Sequence, residues 1–410
     1  MKKFIPLSFF SFILLLGCTS STEETSNSLL TNTGLHIVPN HGSKNIPISV
    51  FDEGGSYHLI YSTGSKEWGH LVSPNMIHWS FDHSFEVPTS EVGDVVSAEL
   101  SGDTTNTWIM FYDQEGVKAR VSTDRNEWQC FDLTSDTEMR GIPKINEGFD
   151  GDWIMTITND QNISFYHSSD LRVWSKYNAL TNKYSASYAE VAIIENKPFL
   201  MIDGYAGYLA MRFEGEQLMT ISDLSMLPNA AAGTYFQADG IKAVIYALES
   251  KLFSTPLEVE VNENNTLRLA PSEFLKNQTL VKRRGRLSRL IGDNMCTIFS
   301  FKIDSIASTS KVILSNETGD QVEIGVVRDG NTFQIEFEGK SFEFEEPSGD
   351  PSLRIDLIVD HNYVGLFANG FTHVGAIIHS APLFNKVSVA VDGVEVNPRS
   401  IVYTISDVPN

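Results

Sequence analysis

The strongest constraint on this chain is a repeat. Ser73-Pro-Asn-Met-Ile-His-Trp79, Ser122-Thr-Asp-Arg-Asn-Glu-Trp128 and Ser168-Ser-Asp-Leu-Arg-Val-Trp174 each place a tryptophan six residues after a serine, with Asn or Asp third. The tryptophans are 49 and 46 residues apart, and each motif follows an apolar run of strand character, at 57–61, 108–112 and 153–157. Units of this length, built from short strands and polar turns, cannot bury both faces alone, so they stack around an axis as the four-stranded blades of a propeller. The repeated tryptophan is then packing between blades. Two less regular units follow, one carrying 199–203 and 208–213, the other 241–246 and 257–261, which gives five blades over residues 34–271.

From Leu290 the pattern changes to evenly spaced, alternating strands without tryptophan, such as Val322-Glu-Ile-Gly-Val-Val327 and Leu353-Arg-Ile-Asp-Leu-Ile-Val359. That spacing predicts a C-terminal β-sandwich over 290–410, so the fold class is all-β, a five-bladed β-propeller followed by a β-sandwich. Residues 272–289, with the basic cluster Lys282-Arg-Arg-Gly-Arg-Leu-Ser-Arg289, are expected to be a charged linker between the domains.

The N-terminus carries export information. Lys2 and Lys3, the apolar run 4–16 and Gly17 before Cys18 form a signal over 1–17 whose core is too short to span a bilayer. Leu15-Leu-Gly-Cys18 resembles a bacterial lipobox, which makes Cys18 the lipidated first residue of the mature chain. The Ser-, Thr- and Asn-rich stretch 18–33 reads as its tether. The expected location is the cell envelope, anchored in the outer membrane because Thr19 is not the Asp associated with inner-membrane retention. With 52 acidic against 30 basic side chains and a net charge of −22, the surface repels phosphate backbones, and nucleic acid is excluded as a partner. Cys130 and Cys296, isolated in separate domains, supply neither a disulfide framework nor metal spacing; no metal or cofactor is expected.

Along nearly the whole exported chain the sequence resembles glycoside hydrolase family 32, the invertases, inulinases and levanases. Tyr57-His-Leu-Ile-Tyr61, Trp68-Gly-His-Leu-Val-Ser73 and Ile77-His-Trp79 match the family's first blade, and 163–174 its third. Ile358-Val-Asp-His-Asn-Tyr-Val-Gly-Leu-Phe-Ala-Asn-Gly370 matches a strand and turn of its sandwich. The resemblance implies three acidic residues: a nucleophile in Asn-Asp-Pro, a transition-state stabiliser in Arg-Asp-Pro and an acid/base in Glu-Cys-Pro. Here the first motif reads Asn45-Ile46-Pro47, the second Arg140-Gly141-Ile142-Pro143 and the third Glu190-Val191-Ala192. Ile46 and Ile142 therefore stand where carboxylates are required, and only Glu190 is kept. A retaining glycosidase needs two carboxyls about 5–5.5 Å apart, and an isoleucine has no lone pair with which to attack carbon.

The resemblance further implies sugar contacts at Asn45, Trp68 and Glu190, with other family contacts replaced at Ser43 and Ser62, and in 229–236. Two isoleucines beside Glu190 would make a dry pocket that raises its pKa. The reading these residues favour is a catalytically inactive carbohydrate-binding protein for fructan-type sugars. A second is an active hydrolase with relocated carboxylates, for which Asp52, Asp94, Glu99 and Asp203 are the nearest candidates, their ordinary role being in turns or at the rim. A third is a protein-interaction platform with no sugar role. Whether Trp68 and Asn45 line an open funnel discriminates the first from the third.

Overall fold

Each tryptophan motif folds into the same turn, closed by its own side chains. Asn75 Oδ1 accepts the amides of Ile77 and His78 at 3.1 and 3.0 Å, Asp124 Oδ1 those of Asn126 and Glu127 at 2.9 and 2.8 Å, and Asp170 Oδ1 those of Arg172 and Val173, both at 2.8 Å. The fourth residue of each motif, Met76, Arg125 or Leu171, takes a positive φ of 56, 67 or 61°. That left-handed step costs a residue with a Cβ energy, which the cap bonds offset. The indoles of Trp79 and Trp174 reach back to the carbonyls of Met76 and Leu171 at 2.8 and 3.1 Å.

The computed structural model describes residues 37, 39 and 45–405, except 89–92, 101–105, 205–206, 215–216, 224–229, 249–251, 262–266, 272–278, 287–296, 307, 338, 346–350, 361–362, 369–372, 379–383 and 385. The signal, Cys18, the tether, Ser43 and Cys296 lie outside the described residues. Apart from one 3-10 turn at Phe149–Gly151, every regular element described is a strand, and no helix among the described residues is long and apolar enough to cross a membrane.

Five antiparallel sheets form the blades. Blade I is β1 (Ile46–Glu53), β2 (Ser56–Ser62), β3 (Glu67–Ser73) and β4 (Ser80–Glu86); blade II is β5 (Asp94–Glu99), β6 (Asn106–Asp113), β7 (Val117–Ser122) and β8 (Gln129–Phe131). A short β9 (Thr134–Ser135) then pairs in parallel with the outer strand of blade III, which is β10 (Ile142–Glu147), β11 (Trp153–Thr158), β12 (Asn162–Ser168) and β13 (Val173–Thr181). Blade IV is β14 (Ala186–Ile194), β15 (Lys197–Gly204), β16 (Gly207–Glu214) and β17 (Gln217–Asp223). Blade V is β18 (Ala230–Ala238), β19 (Ile241–Leu248), β20 (Leu252–Phe253), β21 (Leu257–Val261) and β22 (Leu267–Pro271). The ring is closed near its start, where Ile37 and Phe253 exchange both backbone hydrogen bonds at 3.0 and 2.7 Å.

The sandwich has two six-stranded sheets. One runs, in spatial order, β23 (Thr279–Arg286), β34 (Arg399–Ile405), β24 (Thr297–Ile303), β29 (Leu353–Asp360), β30 (Tyr363–Ala368) and β31 (His373–Ile378). The other runs β28 (Lys340–Glu345), β27 (Thr332–Phe337), β26 (Gln321–Asp329), β25 (Thr309–Ser315), β32 (Lys386–Val391) and β33 (Val394–Val396). Part of the expected linker is thus structure: Thr279–Arg286 is an edge strand. Its basic residues hid it from hydrophobic patterning because the described residues 283–286, three of them arginine, are all exposed, and lysine and arginine are what exposed sheet edges carry to avoid further pairing. Ile298, Ile358 and Phe367 of the sandwich pack into the same apolar cluster as Tyr208, Leu257 and Leu269 of blades IV and V, so one core runs across both domains.

Candidate active site

The first strand of each blade, β1, β5, β10, β14 or β18, lines the axis. Ile46 opens β1 opposite Ser62, the last residue of β2, and Ile142 opens β10 opposite Thr158, the last residue of β11. Both isoleucines therefore sit at the same end of the ring, half-buried against a cluster that includes Leu59, Tyr61 and Trp79. Gly141 brings the chain into β10 with φ 123°, and a Cβ there would stand 2.2 Å from the Thr158 carbonyl oxygen, so no side chain fits. The rim at this end carries Arg140, Asn159 and Ser187, all exposed, and the half-buried Asn182.

Glu190 is not at that rim. In β14 the first pair is Ala186 with Gly204, the end of β15, whereas Glu190 pairs with Met201, deeper in the sheet by three residues of β15. Its side chain is 2% exposed, and Oε1 accepts the Tyr208 hydroxyl at 2.9 Å and the Tyr235 amide at 2.8 Å. Burial is the largest influence on its pKa and pushes it up to about 7, against the pull of Lys144 and the two hydrogen bonds. The expected dry pocket of isoleucines is not what surrounds it. Ile46 and Ile142 pack in a separate cluster, and the neighbours of Glu190 are tyrosines, Lys144 and Asp94.

The other sequence candidates divide sharply. Asp94 and Asp203 are buried, not in turns or at the rim, while Asp52 and Glu99 are exposed as expected. Asp94 Oδ1 accepts the Ser49 hydroxyl and the Val95 amide, and Oδ2 accepts the Ile145 amide at 2.6 Å, so its carboxylate joins blades I, II and III. Burial raises its pKa despite Lys144 nearby. Asp203, beside Tyr188 in the register, is raised to about 7 by burial, which outweighs its bond from Tyr188.

Lys144 is the residue that sequence reasoning missed as part of the site. It is 1% exposed, and Nζ donates to the Ile48 carbonyl at 2.5 Å and to Thr234 Oγ1 at 3.4 Å. Ile48 lies at a bulge between Pro47 and Ser49, which frees its carbonyl from the ladder. The signal was present in the Pro143-Lys144-Ile145 anchor, where a lysine interrupts the apolar run 142–145 of an inner strand. One cation thus acts on three buried carboxyls, Asp94 and Glu190 on inner strands and Asp203 on β15.

Asn45 and Trp68, the other expected sugar contacts, are buried. Trp68 is 0% exposed, edge-on to Phe85 at 6.3 Å in a cluster with Ile60 and Trp108, which corrects its reading as a sugar platform: it is core between blades I and II. Asn45 is 2% exposed. The described cavity on the axis, about 280 Å³, is lined by Asp94 and Glu190 and extends past Ser97, Glu147 and Gln237 toward the carboxyl ends of the inner strands, away from Ile46 and Ile142.

Residues 36–236 match the glycosyl hydrolases family 32 N-terminal domain. A stretch of 180 residues is 26% identical to an invertase of Schizosaccharomyces pombe, covering 35% of this chain and 31% of that protein's length. Among solved structures, a sucrose-6-phosphate hydrolase from Lactobacillus gasseri superposes with TM-score 0.71 at 16% identity over 92% of this chain and 93% of its own. A β-fructofuranosidase from Schwanniomyces occidentalis complexed with fructosyl-erythritol gives 0.67 at 14% over 92% and 98%. An exo-inulinase from Aspergillus awamori gives 0.68 at 13% over the same shares. Motifs in both domains, five blades followed by a sandwich, and these matches all lead to one assignment: the chain belongs to glycoside hydrolase family 32.

Proposed function

We propose that this protein is a non-hydrolysing member of the family that binds fructan-type carbohydrate at the propeller and is held in the cell envelope by a lipid on Cys18. The observation that carries this reading is the pair of isoleucines at the amino ends of β1 and β10, where the family's reaction calls for a nucleophile and a stabiliser. The hydrogen bonds of Glu190 and Asp94 add support, since Oε1 of Glu190 and both oxygens of Asp94 are engaged, tying neighbouring blades together. The sugar assignment draws on the invertase and inulinase relatives and on the polar rim of Arg140, Asn159, Asn182 and Ser187. Calorimetric titration with sucrose, inulin and levan oligosaccharides tests it: heat of binding without fructose release is expected.

Two observations favour other readings. Asp94 lines the same cavity as Glu190, the arrangement a hydrolase with relocated carboxylates would use. Fructose release abolished by both Glu190→Gln and Asp94→Asn would establish that reading. Burial of Asn45 and Trp68 favours a protein-interaction platform, for which every titration with sugar gives no heat. Labelling with radioactive palmitate, lost in Cys18→Ser, tests the anchor.

A further inference from the structure

Away from the axis, blade I gathers two histidines and an aspartate around one point, with a third histidine behind His70. β3 and β4 pair His70 with His83 and then Leu71 with Phe81, so Asp82 is the extra residue of a bulge. A regular strand would send Asp82 and His83 to opposite faces; the bulge brings both to His70. His70 Nδ1 lies 3.0 Å from Asp82 Oδ2, His83 Nδ1 lies 2.8 Å from the same oxygen, and the two nitrogens are 3.5 Å apart. A first-row ion bound at about 2.0–2.1 Å to nitrogen and carboxylate oxygen needs ligand atoms roughly 3 Å apart, which this triangle supplies.

The outer hydrogen bonds are those of a ligand set. His83 Nε2 is 3.2 Å from the Arg125 carbonyl oxygen, which only accepts, so Nε2 carries a proton and, in the neutral tautomer, the Nδ1 lone pair faces Asp82. In that tautomer the lone pair meets the carboxylate at 2.8 Å, a contact made favourable by a cation held between them. His70 is held through its Nε2, 2.9 Å from His58 Nδ1, with Trp108 edge-on at 5.0 Å. Such second contacts fix ring orientation in metal sites. The nearby guanidinium of Arg125 is paired with Glu53 at 2.7 Å and does not occupy the point. Asp82 is 46% and His83 24% exposed, so the point is open to solvent.

We propose that His70, Asp82 and His83 form a binding site for one divalent transition-metal ion, with an open position for water. Two imidazoles and a carboxylate suit zinc, copper, nickel or iron, whereas calcium and magnesium take all-oxygen sets. The site is independent of the carbohydrate reading. The test is calorimetric titration of the chelator-treated protein with zinc alone, beside Asp82→Asn, His83→Gln and, as control, His167→Gln on the exposed face of blade III. The expected result is one zinc per chain, unaffected by millimolar magnesium, weakened at least ~10- to 100-fold in the first two variants and unchanged in the third. Melting in chelator, equal for all four proteins, shows that the variants fold. Absence of saturable binding, or binding that survives both Asp82→Asn and His83→Gln, overturns the site and leaves a protonated His83 paired with Asp82.

Discussion

Lys144 illustrates how one residue changes the meaning of its neighbours. A buried ammonium among three buried carboxyls is tolerable only because each group has a partner, so removing it leaves uncompensated charge at the axis. Lys144→Met is expected to cost about 3–5 kcal/mol in urea unfolding. Glu190 and Asp203, both raised to about 7 by burial, give a pH signature. In the folded chain they keep protons that the unfolded chain releases at about 4. Stability should therefore fall as pH rises from about 4 through about 7, then level off. Glu190→Gln should reduce that slope, measured by urea titration across the window. At this scale the sequence was partly legible: Ile46 and Ile142 were found by motif, but the depth of Glu190 depends on strand register, and the burial of Asp94 on contacts with two other blades. Neither leaves a local signature.

At the scale of elements, the three turns were read because Ser and Asn or Asp do the same job at each, with Trp79 and Trp174 closing two of them, whereas blades IV and V lack the motif and gave only their apolar runs. Bulges at Ile48, Ser187 and Asp82 were invisible, since alternation alone does not register one added residue. The motif Trp68-Gly69-His70 yields a packing prediction. A Cβ on Gly69 would stand 2.1 Å from the ring of buried Tyr61, which is edge-on to Phe253 at 5.6 Å and cannot swing away. Gly69→Ala should destabilise by about 1–3 kcal/mol, read from the denaturation midpoint.

Across the whole molecule, the two domains were legible from the change in strand spacing, but not the apolar seam that joins them. Because Ile298, Ile358 and Phe367 share a core with blades IV and V, propeller and sandwich should unfold in one transition. Phe367→Ala, expected to cost about 3–5 kcal/mol, should shift that single transition without splitting it. The scaffold is that of the family, stitched along its axis by the buried polar side chains of Asp94, Lys144 and Glu190, and the proposed reading is that it does not hydrolyse. The most direct test of that account is chromatographic measurement of fructose after prolonged incubation of the purified protein with sucrose, inulin and levan. The account predicts release equal to the protein-free control for wild type, Glu190→Gln and Asp94→Asn alike. Sustained release by the wild type that disappears in either variant would contradict it.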